Sequence, residues 1–112
     1  MVKTETEVTE LAGEYAKELE KLGIPVNEIL LFGSYARGEA RSFSDIDFAV
    51  LSEKFGKSDG LEFSGILSRA RLGFDAIIET IGTSPEKFYK APRGSFFEHI
   101  RKTGKVVYKK AA

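Results

Sequence analysis

Apolar residues recur at steps of three and four through the first stretch of the chain, at Val8, Leu11, Tyr15, Leu19 and Leu22. That spacing predicts an amphipathic helix. Thr4 with Glu7 makes a capping box at its start, and Gly23 followed by Pro25 supplies a stop. Residues 27–32 form a short apolar run that ends abruptly at Gly33-Ser34, the pattern of a buried strand opening into a turn and a short helix closed by Gly38. Residues 45–51 predict a second strand, apolar on both faces after Asp47 and therefore covered on both sides. A loop rich in Ser, Lys and Gly spans 52–60, and a helix is expected around 61–70. Residues 74–80 predict a third strand. Ser84-Pro85-Glu86 opens a short helix, Ser95 with Glu98 caps another that ends at Gly104, and residues 105–108 read as a closing edge strand. No repeat or low-complexity linker interrupts this order. The alternation predicts an α/β fold in which helices pack on a small mixed sheet of three to four strands.

Composition narrows the function classes. The 112 residues fit a single domain over the whole chain, which should bury roughly two-thirds of its unfolded surface. With 17 Lys+Arg against 17 Asp+Glu the formal net charge is zero, which argues against general nucleic-acid binding. The charge is uneven, however: residues 1–22 are acidic and residues 85–112 basic, two solvated faces or a means of steering an anionic partner. The absence of cysteine removes disulfides, zinc–thiolate sites and thiol nucleophiles. No apolar run has the length of a membrane span and the first residues hold no signal-peptide core, so the cytoplasm is the expected compartment.

The chemistry concentrates between Gly33 and Asp47. Asp45 and Asp47 lie two residues apart on a strand and so share a face. Two like charges side by side repel unless a cation lies between them, and carboxylate oxygens are what Mg²⁺ takes along with phosphates and water. Taken alone, the pair reads first as a frayed strand start facing water. Gly33-Ser34 changes that balance. A strand ending in Gly-Ser presents free backbone N–H groups to an anion, and glycine lets a phosphate come close. Arg37, three residues beyond Ser34, can reach a phosphate or an aspartate.

Gly33-Ser34, ten intervening residues and then Asp45-Ile46-Asp47 resemble the signature of the minimal nucleotidyltransferases of the DNA polymerase β-like superfamily. The flanking Ala36-Arg37-Gly38 and Ser44, and the later order of elements, are similar as well. The resemblance implies the polymerase β-like core fold and Mg²⁺-dependent transfer of a nucleoside monophosphate, AMP from ATP, with two metal ions. It implies that Asp45 and Asp47 hold metal, that Gly33, Ser34, Arg37 and Ser44 meet the nucleotide, and that a third carboxylate comes from a neighbouring strand. Asp75 is the candidate for that third position, with Glu79 as second choice.

Small members of this kind act as antitoxins that add AMP to a tyrosine of a HEPN-type toxin, so the resemblance implies such a partner, with a homo-oligomer as another way to complete the site. Two further readings stay open at the level of sequence. One is a transferase for a small molecule of the aminoglycoside type, and the other a silent module that neutralises a partner by contact. Other signals carry less. Gly56-Lys57-Ser58 lacks the upstream glycine of a P-loop, since Leu51 stands there. His99 reads as a packing or surface residue, and Tyr35 as a packing residue or a ring for a base.

Overall fold

The Thr4 capping box forms. Glu7 donates its N–H to Thr4 Oγ1 at 3.1 Å, and Thr4 donates its own to Glu7 Oε1 at 2.8 Å. These bonds open α1 (Glu5–Lys21), whose Val8, Leu11, Tyr15 and Leu19 are buried. The computed structural model describes residues 2–56 and 63–111. Within them follow β1 (Glu28–Phe32), β2 (Ile46–Leu51), a 3-10 turn (Glu53–Phe55), α2 (Ser64–Arg71), β3 (Ile78–Thr83), α3 (Pro85–Tyr89), α4 (Phe96–Thr103) and β4 (Lys105–Lys109). The four strands lie in the order β3-β2-β1-β4. β1 runs antiparallel to both β2 and β4, whereas β2 and β3 are parallel. The sheet is mixed, with β4 at an edge, as the pattern predicts.

Strand alternation sorts the core into two layers. Ile29, Leu31, Ile46, Phe48, Val50 and Ile78 face α1 and α2. Leu30, Ala49 and Leu51 face the other way, onto Phe88 of α3 and Ile100 of α4. β2 is therefore covered on both faces, which is why it reads as an unbroken apolar run. Tyr15 ties the helical layer together by donating its hydroxyl to the Leu67 carbonyl at 2.9 Å. Burial pushes this phenol up to about 12, so it stays a neutral donor. Tyr15→Phe is expected to cost about 1 kcal/mol in urea unfolding, the net value of one such bond. A variant as stable as the wild type would show that the bond contributes nothing.

Two elements depart from expectation. The third strand begins at Ile78, not at residue 74, and runs to Thr83. Phe74 turns edge-on to Tyr15, with ring centroids 6.1 Å apart, so the apolar residues ahead of Ile78 serve to pack α1 and do not pair in the ladder. Gly82 lies inside the strand, where the Phe55 ring takes the space of a side chain: a Cβ there would come 2.9 Å from Phe55 Cε2. The second departure follows Gly33, where successive turns over residues 33–38 replace the expected short helix. Of the helix expected around 61–70, residues 61 and 62 lie outside the described residues, as do Lys57 and Ser58 of the rejected P-loop; the rest forms α2. Among the described residues no helix is long and apolar enough to cross a membrane.

Candidate active site

Gly33 is fixed by two constraints at once. Its φ of 75° lies in the left-handed region, and a Cβ at this position would run into Asp47 Oδ2. The Asp47 carboxylate thus lies directly against the start of the Gly-Ser turn. In that turn Ala36 and Arg37 donate their N–H groups to the Gly33 carbonyl at 3.1 and 3.2 Å, and Glu39 donates to the Ser34 carbonyl at 2.9 Å. The amides of Ser34 and Tyr35 are left without a protein partner among the described residues. Unpaired N–H groups beside a glycine are donors of the kind an anion takes, and here the Asp47 carboxylate lies beside that glycine.

The ladder sets what lies beside Asp47. β1 pairs Phe32 with Asp47, and β2 pairs Asp47 with Glu79. Cross-strand partners point to the same face, so Phe32, Asp47 and Glu79 form a row across three strands, on the α3 and α4 side of the sheet. Asp45, two residues earlier, belongs to the same face. The Asp47 carboxyl is raised above the ordinary carboxylate value of 3.8, first by burial and then by the charges of Asp45 and Glu79, while Arg37 opposes the rise. Three carboxylates therefore share one field. Glu79 itself reaches towards Arg71, 3.6 Å away.

The other expected site residues are distributed less evenly. Arg37 bonds Glu39 at 2.6 Å and is exposed, but its charge acts on Asp47. Ser44 accepts the Arg41 N–H at 2.8 Å, so its hydroxyl serves the loop that delivers Asp45. Asp75 lies in the bends ahead of β3, exposed, in a cleft of about 350 Å³ with Tyr35, Phe43, Ser44, Ile46 and Ile77. The Ile46 side chain belongs to the α1 layer, which puts Asp75 on the opposite side of the sheet end from Asp47 and Glu79. Tyr35 packs against that α1 layer too, its hydroxyl accepting the Lys3 N–H at 3.2 Å. His99 is exposed, on the surface.

A larger cavity, about 780 Å³, opens at the far end of the sheet between Glu53, Ser84 and Lys90. It holds none of the carboxylate row. The carboxylate row and the unpaired amides lie at the other end.

A family model described as a nucleotidyltransferase domain matches residues 13–106, a span that includes the Gly-Ser turn and Asp45, Asp47, Asp75 and Glu79. The chain belongs to the nucleotidyltransferase domain family. Among the relatives of this nucleotidyltransferase is a protein of Methanocaldococcus jannaschii named "Putative protein adenylyltransferase", 32% identical over 86 residues, or 74% of this chain and 79% of the relative. A second protein so named from the same organism is 29% identical over 100 residues, covering 88% and 96% of the two chains.

Solved structures share the nucleotidyltransferase fold. A Sulfolobus solfataricus protein titled a "putative nucleotidyltransferase" superposes with a TM-score of 0.68 at 19% identity, over 95% of this chain and 84% of that one. A toxin–antitoxin crystal structure with AMP-PNP gives 0.59 at 23% identity, over 86% and 72%. The mixed α/β sheet is thus the one expected of a nucleotidyltransferase. The strand assignment of Asp75 is what the structure corrects. The position of Glu79 opposite Asp47 was legible only once β3 is moved to its true start.

Proposed function

We propose that this nucleotidyltransferase moves AMP from ATP, with Mg²⁺, onto a hydroxyl of a partner protein, a tyrosine of a HEPN-type toxin, and so acts as an antitoxin. The observation that carries the reading is the Asp47 carboxylate lying against Gly33, with Asp45 and Glu79 raising its proton affinity. The names of the adenylyltransferase relatives support the reaction, and the toxin–antitoxin neighbour supports the type of partner.

The donor set suits Mg²⁺. Hard oxygen ligands are present, and like charges raise a carboxyl that a cation would settle. Among the described residues no three acidic or histidine side chains form a metal-binding group. Two carboxylates suffice for an ion that takes its other ligands from phosphate and water. Asp45 and Asp47 would hold it. When bound, Mg²⁺ supplies charge neutralisation at the phosphates.

The chain's own residues do the rest. The Ser34 and Tyr35 amides hold the terminal phosphates and steady the departing pyrophosphate, aided by Arg37. The acceptor oxygen attacks the α-phosphorus in line, the bond to the β-phosphate oxygen breaks, and the acceptor proton passes to a third carboxylate. Asp75 is the candidate named by the family pattern. A specific observation favours Glu79: it is in register with Asp47 and raises the Asp47 carboxyl, whereas Asp75 lies across the sheet end.

The decisive assay uses ATP labelled at the α-phosphate, Mg²⁺ and the protein encoded by the adjacent gene. Label should reach that protein and stop when the metal is chelated. Glu79→Gln is expected to slow transfer by about 100-fold or more, the range for a lost general base, and Asp75→Asn much less. The reverse order would restore Asp75 to the third position. No label on any macromolecule, despite ATP binding, would overturn the protein-acceptor reading in favour of a small molecule or a silent module.

A further inference from the structure

The carboxylate row continues into an aromatic wall that the proposed mechanism does not use. Phe32 is the β1 partner of Asp47 and shares its face. One strand spacing, about 4.8 Å, separates the two positions. Beyond Phe32 stands Phe96, the first residue of α4, with ring centroids 5.8 Å apart and planes at 85°. Phe97 turns inward onto Phe88, at 5.6 Å, and packs against the core, half-buried. Phe96 does not follow it: its side of the helix leaves it 55% exposed. A large phenyl held edge-on by a half-buried neighbour, beside three carboxylates, is a fixed apolar surface next to charge.

The geometry points to the Phe32–Phe96 pair as the platform that receives the purine ring of the donor nucleotide. This rests on the reading of the Gly33–Asp47 end as a nucleotide site. Phosphates held at the Ser34 and Tyr35 amides lie immediately after Phe32 in the chain. From there a ribose spans the gap between the inner phosphate and a ring stacked one strand further over, on the same face. Tyr35, the other aromatic near the turn, is committed to the α1 layer and to Lys3 on the opposite side. The platform faces away from the Asp75 cleft, which leaves that cleft outside the base site.

The chain has no tryptophan, so Phe96→Trp introduces a single fluorescent reporter. With Mg²⁺ present, ATP should quench it, and inorganic tripolyphosphate, which offers the same phosphates without a base, should not. Phe96→Ala should weaken ATP binding by calorimetry about tenfold, within the range for a lost base–aromatic stack, and leave tripolyphosphate binding unchanged. Undiminished ATP affinity in Phe96→Ala, or an unquenched Phe96→Trp that still binds ATP, overturns the platform. Slowed transfer with unchanged ATP affinity also overturns it, and gives Phe96 to the acceptor. If wild type binds neither ATP nor tripolyphosphate, the nucleotide reading fails first and the platform falls with it.

Discussion

Asp47→Asn is expected to stop nucleotidyl transfer and, in chelator buffer at neutral pH, to raise the melting temperature. Loss of a carboxylate that would hold the Mg²⁺ at the phosphates should slow the reaction by at least about 100-fold. The stability gain follows from the direction of its pKa. Burial, Asp45 and Glu79 raise the carboxyl in the native state above its ordinary value. The native state therefore binds this proton more tightly than the unfolded chain, and the charge opposes folding once pH exceeds the ordinary value of 3.8. Below it both states are protonated and the cost vanishes. Asparagine removes the charge at every pH, so the variant's advantage should be largest near neutrality and fade as pH falls through the native pKa of wild type. Thermal melts at several pH values check this. A variant that melts lower at neutral pH, or transfers at the wild-type rate, would contradict the assignment of Asp47 as a strained functional group.

Gly33→Ala should be the most damaging single change in the turn. Alanine at a φ of 75° carries a conformational cost of roughly 1–2 kcal/mol. The added methyl also meets Asp47 Oδ2, so the carboxylate must leave its place. Gly38→Ala is the matched control. Gly38 has a φ of 72°, but a Cβ there meets nothing within 4 Å. Both variants should lose similar conformational stability, yet only Gly33→Ala should lose transfer. Comparable activity in the two would show that the close approach of Asp47 has no part in the chemistry.

Most of the frame is legible because each element carries its own local signal. The Thr4–Glu7 box, the three-and-four spacing of α1, the serine caps at 84 and 95 and the two-faced apolar run of β2 each mark an element unaided. The Gly33–Asp47 spacing is legible for the same reason, since turn and strand start are local. The third strand is not, because its start is set by a distant event: Phe74 is drawn under α1 by Tyr15. A period-two pattern cannot register that pull. The shift puts Glu79, and not Asp75, in register with Asp47. The Phe32–Phe96 wall is equally non-local. Phe96 and Phe97 look alike in sequence, and only docking of α4 on the sheet sends one inward and leaves the other out.

The position of β2 in the sheet has a consequence for amide exchange. Hydrogen-bonded to β1 on one side and β3 on the other, its peptide groups exchange with solvent only when the whole sheet opens, at the full cost of unfolding. The 33–38 turn has no ladder of its own: short-range backbone bonds hold it, together with the Lys3 bond to the Tyr35 hydroxyl and the packing of Ala36 and Tyr35 on the α1 layer. The candidate site thus joins a slow-exchanging strand to a turn whose Ser34 and Tyr35 amides, without a protein acceptor among the described residues, should exchange faster.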